Sequence, residues 1–361
     1  MAQWDVIVVG AGPAGAALAC ALAPQKRRVL LLERAAAPNA AAPRIGESLP
    51  GAARPLLARL GVLERFLADG HVERGATVAE WERDEASWFD TLRDPHGPGW
   101  HLDRVRFDAC LRRAACDVGA VLLQSRGPLR VERASNQRFI VTSGGAEPHY
   151  APVLVDASGR GAVAARRLGV LHHALDKLVC LHSHLTTTID GGDDCTRIAT
   201  DHNGWWYSVR VPSGQRVLAF HLDADDAELG ALRDPGAFLA KARRQPLLAE
   251  TLRNAQVAAV RTCVACSSTL DLSALLAVEG FFAVGDSSLS FDPLASQGLF
   301  HALASAVSAA TAMGRSDGEG APRQAFVAEL RAVRSRYRAE LRRSYASVAR
   351  RRSGAFWARR L

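Results

Sequence analysis

The stretch from Trp4 to Leu22, WDVIVVGAGPAGAALACAL, leaves the chain few choices of fold. Four β-branched apolar residues, Val6 to Val9, run straight into Gly10-x-Gly12-x-x-Gly15 and then into an Ala/Leu pattern of helical spacing. A buried strand, a glycine turn and a helix in immediate succession open a dinucleotide-binding βαβ unit. Gly10 allows the tight turn, Gly12 lets the backbone approach a pyrophosphate, and Gly15 lets helix and strand pack closely. Pro13 and Ala14 belong to the same turn and are assigned with it to cofactor binding. The free N–H groups of the helix start then face the phosphates with partial positive charge. A second apolar strand, RRVLLLE, ends at Glu33, followed by Arg34. An acid at about this spacing holds a ribose hydroxyl and disfavours a 2′-phosphate, so NADP is not expected in this half. FAD and NAD both remain open from this segment.

A second stretch decides between them. In VGDSSLSFDPLASQGLFHAL the apolar run FFAV stops at Gly285-Asp286, a Pro-bearing turn follows, and a helical pattern starts near Gly298. A carboxylate after a buried strand suits a polyol such as the ribityl chain of FAD. A helix start just beyond it stabilises negative charge on a reduced flavin. Pro293 fixes the turn and Gly298 lets a ring lie close to backbone. Asp286 is therefore assigned to the ribityl, and Pro293, Ser296, Gln297, Gly298 and Leu299 to the ring edge.

Between these stretches lie VLVDASGR, with Asp156 and Gly159, and HLDRVRFDACL, with Arg104. Together the segments resemble the fingerprints of FAD-dependent monooxygenases of the p-hydroxybenzoate hydroxylase-like fold. The second resembles that family's R-x-x-F-D-x-x-L helix. The resemblance implies that Asp156 and Gly159 bind the cofactor and that Arg104 reaches its pyrophosphate or ribityl side; the alternative is a helix-start arginine paired with Asp108. It also implies an α/β + β class: a GR2-type Rossmann-like FAD domain, an inserted antiparallel-sheet substrate domain and a C-terminal basic amphipathic helix. On this reading residues 1–75, 101–175 and 262–320 form a discontinuous FAD domain. Residues 76–100 and 176–261 form the substrate domain, with WWYSVRVPSGQRVLAFHLD as a hairpin turning at Ser213-Gly214.

Composition agrees with a globular protein: 361 residues, 48% hydrophobic and 23% charged. No run approaches the roughly 18–20 apolar residues of a membrane span, and the N-terminus reads as carrying no signal peptide. Seven scattered cysteines suit a reducing cytoplasm. Cys263 and Cys266 have CxxC spacing, but without a second pair they read as small residues on a packed strand. The net charge of +8 is uneven: Arg323 to Leu361 hold 12 arginines against Glu329 and Glu340, leaving the rest near −2. In the same segment, 321–361, Phe326, Leu330, Val333, Tyr337, Leu341, Tyr345 and Val348 recur at helical spacing. The helix is expected to pack on the body with its basic face solvated or meeting an acidic partner. DNA binding is not expected.

Three groups share the fingerprints. Flavin-dependent tryptophan halogenases carry W-x-W-x-I-P and a catalytic lysine. Registered on Pro212, this chain reads Tyr207-Ser-Val-Arg-Val-Pro212, and its lysines are Lys26, Lys177 and Lys241, none after GESLP. Of the Y-x-W-x-F-P of geranylgeranyl reductase-like enzymes only Tyr207 and Pro212 match. RIGESLPGAARPLLARLGVLERF, DPHGPGWHLDRVRFD and NGWWYSVRVPSG are similar to flavoproteins of the LodB/GoxB type, which mature quinone-cofactor amine oxidases, and to hydroxylases of peptide-borne tryptophan. Ser287-Ser288 stands where Ala-Ala is commoner in that group. The resemblance implies oxygen insertion into an indole on a peptide or protein, with NAD(P)H docking transiently as reductant and O₂ as co-substrate through a flavin C4a-hydroperoxide. The rivals are a small-molecule hydroxylase or reductase of natural-product metabolism and a non-catalytic flavin-binding chaperone for a partner oxidase. Glu47, flanked by Arg44 and Ser48, is expected near the flavin, as are Trp100, His101, His182, His184 and the run Trp205, Trp206 and Tyr207 on the substrate side. Each has a bland reading: a helix-start acid, satisfied histidines or core aromatics.

Overall fold

Val6–Val9 is the middle strand of a five-stranded parallel sheet in the order Phe281–Ala283, Val153–Asp156, Val6–Val9, Val29–Arg34, Val121–Ser125. The chain is seen here as a computed structural model that describes residues 2–34, 45–134, 137–145, 147–187, 192–314 and 320–361. Val6, Ile7 and Val8 are wholly buried, as an uninterrupted apolar run requires in a sheet covered on both faces. The phosphate helix, Pro13–Leu22, packs against the helices Arg104–Asp117 and Gly298–Gly314. Gly15 lets the helix lie close on its own turn and on Ala157: a Cβ on Gly15 would stand 2.0 Å from the Gly10 carbonyl oxygen.

A seven-stranded sheet lies over the carboxyl ends of the parallel strands. Its order is Arg261–Val264, Leu178–Leu185, Arg216–Asp223, Gly204–Arg210, Thr196–Asp201, Ala76–Glu80, Ser87–Asp90, antiparallel except where Thr196–Asp201 meets Ala76–Glu80. The expected hairpin is present, Gly204–Arg210 pairing with Arg216–Asp223. The parallel sheet draws its strands from 1–75, 101–175 and 262–320, and the seven-stranded sheet from 76–100 and 176–261, its edge strand running on to Val264. Strand alternation divides the larger sheet's side chains. Leu181, Trp206, Leu218 and Phe220 face Phe238 and Leu239 of the helix Pro235–Ala242, whereas Cys180, Trp205 and Ala219 face the cavity side and the tail.

The tail is a 29-residue helix, Ala321–Ala349, followed by a short turn of helix, Ala355–Ala358. Phe326, Leu330, Tyr337, Tyr345 and Val348 are buried, on the spacing read from the sequence. Several of its arginines are staples. Arg323 caps the helix Leu272–Ala277 by donating to the carbonyls of Leu276 and Val278, at 3.0 and 2.6 Å. Arg351 donates to Trp81 O and Thr200 Oγ1, both at 2.8 Å, and Arg360 pairs with Asp223 at 2.6 Å. Among the described residues no helix is long and apolar enough to cross a membrane.

Candidate active site

The carboxyl ends of the parallel strands open into a cavity of about 870 Å³ whose far wall is the seven-stranded sheet. Gly10, at φ +106, turns the chain away from the sheet beneath Ala157. Nothing lies within 4 Å of the position a Gly12 Cβ would take, so the backbone there is open to a large ligand. Pro13 and Ala14 continue this wall, and Glu33 and Arg34 line it beside them. Glu33 is held in place by accepting from the Ala11 N–H at 2.6 Å. Asp286, Pro293, Ser296, Gln297, Gly298 and Leu299 line the opposite side, with Arg104, Ser48 and Gly159 between. Arg104 makes the Asp108 pair and also reaches the cavity. It pairs with Asp108 at 3.3 Å, donates to Ile45 O and Gly46 O at 2.8 and 3.0 Å, and presents an edge to the cavity. Gly46, at φ +100, makes room for that reach, since a Cβ would stand 2.9 Å from Arg104 Nη1. Asp286 pairs with Arg160 Nε at 3.4 Å while its carboxylate stays 30% exposed toward the cavity; its pKa is raised, the surrounding protein outweighing Arg160.

Three assignments move, and one lies outside the described residues. Asp156 does not reach the cavity. It is wholly buried and accepts from Ser158 N, Ser158 Oγ and Ala165 N at 2.9, 2.6 and 2.8 Å, fixing the loop that carries Gly159. Gly15 and Gly285 serve packing behind the wall; the Gly285 N–H is bound by Ser305 Oγ at 2.8 Å. Arg44 lies outside the described residues.

Glu47 is the electrostatic anomaly of the site. It lines the cavity yet is only 1% exposed, and neither carboxylate oxygen has a hydrogen-bond partner among the described residues. Burial raises its pKa to about 7, against the smaller opposing effects of nearby backbone N–H groups and the Arg104 charge. Its backbone is pinned, Leu102 N donating to Glu47 O at 2.7 Å.

The far wall is Cys180, Trp205, Tyr207, His221 and Cys263. Trp205 stacks on His221, ring centroids 3.7 Å apart, and burial holds that imidazole neutral with its pKa near 3. The tail completes the wall. Trp205 Nε1 donates to Tyr345 OH at 3.1 Å, which donates to Asp292 Oδ2 at 2.8 Å, while Asp292 N donates to Tyr337 OH at 2.7 Å. Two tyrosines of the helix Ala321–Ala349 thus hold the turn that presents Pro293. The helical spacing revealed the buried tyrosines, but nothing in the sequence tied them to Asp292.

Four substrate-side assignments are corrected. Trp206 points away from the cavity: a strand alternates faces, so when Trp205 and Tyr207 line the wall Trp206 must face the other core. There it stacks on Phe220 at 4.3 Å and donates to Asp201 Oδ2 at 3.0 Å. Trp100 is core, edge-on to Phe66 at 5.0 Å under the Arg54 guanidinium. His101 is buried against Thr196 Oγ1 at 2.9 Å, with a pKa pushed down to about 3 by burial. His184 lies beyond the wall, and burial followed by His182 lowers its pKa to about 4. His182 lies on the Cys180 face of its strand but sits behind the wall, near Cys263.

Residues 8–51 match the family described as the NAD(P)-binding Rossmann-like domain, whose turn cradles the ADP half common to NAD(P) and FAD. Along its whole length the chain is 27% identical to the FAD-dependent oxidoreductase LodB of Marinomonas mediterranea, covering 97% of that protein. Its fold is that of the myxobacterial chondrochloren halogenase CndH, a FAD-dependent halogenase (TM-score 0.86, 23% identity, 100% of this chain and 86% of that one). It is also that of QhpG, a peptidyl tryptophan dihydroxylase essential for tryptophylquinone cofactor biogenesis (TM-score 0.76, 22% identity, 99% and 79%). With a cavity wall shaped for a dinucleotide, and a full-length likeness to a flavin enzyme, the chain is a FAD-dependent oxidoreductase.

Proposed function

We propose that the protein hydroxylates the indole of a tryptophan carried on a peptide or protein, using FAD, NAD(P)H and O₂. The observation that carries this reading is the composition of the wall facing the cradle: aromatic, held rigid from behind, and without a lysine among its lining residues. Lys177 pairs with Asp225 at 3.1 Å and Lys241 with Glu228 at 2.7 Å, and Lys26 lies just past the phosphate helix. A halogenating lysine therefore has no counterpart on this wall, which favours oxygen transfer over halogenation. The likeness to LodB, and in fold to a peptidyl tryptophan dihydroxylase, supports a peptide-borne indole over a free metabolite.

Bound and reduced FAD would supply activated oxygen to an electron-rich ring carbon. The chain's own residues do the rest. Gly10 to Ala14 and Glu33 bind the ADP half, and Arg104 and Asp286 face the middle of the cofactor. Trp205, buried and clamped between His221 and Tyr345, stiffens the wall, and the partly exposed Tyr207 beside it is the ring against which an indole would pack. Glu47 keeps its proton to about pH 7 and offers it to oxygen developing at the reacting centre. The enclosing wall keeps water out. Arg331, Arg338 and Arg342, exposed along one side of the tail helix, are the surface on which an acidic segment of a substrate protein would dock.

Flavin-loaded protein, NAD(P)H and ¹⁸O₂ test the proposal. Tryptophan-bearing peptides are expected to accelerate NAD(P)H oxidation and to gain ¹⁸O on the indole. Stimulation by free small aromatics alone would move the substrate to small-molecule metabolism, and a halide-dependent product would overturn oxygenation altogether.

A further inference from the structure

Cys263 meets a different thiol from the one its sequence spacing suggests. Cys180 and Cys263 are register partners on the adjacent antiparallel strands Leu178–Leu185 and Arg261–Val264. Ala265 N donates to Leu178 O at 3.0 Å, so those two residues form a hydrogen-bonded pair. Antiparallel ladders alternate, and two residues along, Cys180 and Cys263 form the next such pair. Pairs of this kind hold their Cα atoms about 5.5 Å apart, inside the roughly 4.4–6.8 Å span a disulfide accepts. Both side chains point to the cavity face and line its wall, and both are free thiols. Arg261–Val264 is the edge strand, so it can shift toward its neighbour without disturbing a strand beyond it.

The surroundings make the two sulfurs unequal. The neighbouring Cys180, with His182 adding to it, holds Cys263 well below the ordinary thiol range, while burial pushes Cys180 up. A nucleophilic thiolate with a resolving thiol beside it is the arrangement of redox-responsive cysteines. Cys266 is not part of it: burial raises its pKa, and its backbone carbonyl is taken by Arg160.

We propose that Cys180 and Cys263 are a peroxide-responsive thiol pair that closes into a cross-strand disulfide on the wall of the flavin cavity. The oxidant is hydrogen peroxide, which a reduced flavin releases whenever O₂ is consumed without a substrate taking the oxygen. The Cys263 thiolate attacks one peroxide oxygen, the O–O bond breaks, and the departing hydroxide takes up the proton that the thiol had given up, leaving as water. The sulfenic acid on Cys263 is then attacked by the Cys180 sulfur; the S–O bond breaks and a second water leaves with the Cys180 proton. Two thiols lose two electrons and two protons, and one peroxide becomes two waters. The bond ties the edge strand down and changes the wall facing the cofactor, stopping turnover that has lost its substrate until a thiol reductant reopens it. This inference rests on the flavin site and not on the identity of the aromatic substrate.

The test uses flavin-loaded protein treated with a small excess of hydrogen peroxide, trapped with N-ethylmaleimide, digested and examined by mass spectrometry. The expected result is a peptide pair linked through Cys180 and Cys263, with both thiols again alkylatable after dithiothreitol. Cys180→Ser is expected to leave a dimedone-reactive sulfenic acid on Cys263, and Cys263→Ser none on Cys180. The proposal is overturned if Cys180 and Cys263 stay alkylatable at peroxide levels that oxidise the exposed Cys116, or if Cys263 links to Cys266 instead. The wild-type measurement does not depend on the variants folding. A visible spectrum of the same sample separates the two claims: no linked pair in yellow protein counts against the thiols, whereas colourless protein counts against the cofactor site.

Discussion

Replacing Glu47 by Gln asks how the cavity treats a charge. The side chain is buried, faces the cavity and has no partner for either oxygen among the described residues, so burial raises its pKa from the ordinary 4.5 to about 7. At 1.36 kcal/mol for each pKa unit, ionising Glu47 in the folded protein costs roughly 3 kcal/mol more than in the unfolded chain. The folded state holds the proton more tightly, so the stability is fully present below about pH 4.5 and is lost as pH rises through about 7. Gln keeps the shape and removes the titration. Urea unfolding of FAD-free protein at about pH 5 and about pH 8 should show wild type losing roughly 2.5 kcal/mol relative to Glu47→Gln between the two. Parallel pH profiles would show that Glu47 titrates normally, and its role as a proton holder would fall with that.

Three further outcomes are expected. Asp286→Ala should weaken FAD retention about tenfold or more, since hydrogen bonds to charged groups contribute ~1.5–3 kcal/mol; absorbance after gel filtration measures it, and undiminished retention would free Asp286 from the cofactor. Tyr345→Phe leaves the buried Trp205 N–H and Asp292 carboxylate without their shared partner, and should cost ~1–3 kcal/mol in denaturant unfolding while loosening the Pro293 turn. Arg351→Ala should lower stability by about 1–2 kcal/mol through the lost ties to Trp81 and Thr200, whereas Arg338→Ala should leave stability within about 0.5 kcal/mol; the opposite ranking would make Arg351 a surface charge.

The cradle was legible because its chemistry is local. A strand, a glycine turn and a helix must be contiguous to hold a pyrophosphate, so Gly10 to Ala14 and Glu33 could be placed from spacing alone. Asp286 and Pro293 to Leu299 followed for the same reason. The far wall was only partly legible: Trp205, Trp206 and Tyr207 could be named as a group, but the order and facing of the strands are set only in the folded sheet. Trp205 and Trp206 are adjacent and chemically identical, and only the pleat decides which one meets the cavity. Asp156 has the look of a cofactor ligand, yet its neighbours Ser158 and Ala165 consume its lone pairs. Cys180 and Cys263 stand far apart in the chain, and their pairing appears only once Arg261–Val264 lies along the sheet edge. The tail's role was half visible: its apolar spacing showed packing, but not that two of its hydroxyls reach the Asp292 turn.

Incubating purified protein with FAD, desalting it and recording the visible spectrum before and after anaerobic addition of NAD(P)H tests the account most directly. It predicts a yellow protein carrying one flavin per chain, bleached by the nicotinamide and recoloured by air. A colourless protein that takes up no flavin in excess, beside an Asp286→Ala variant that behaves identically, would contradict it.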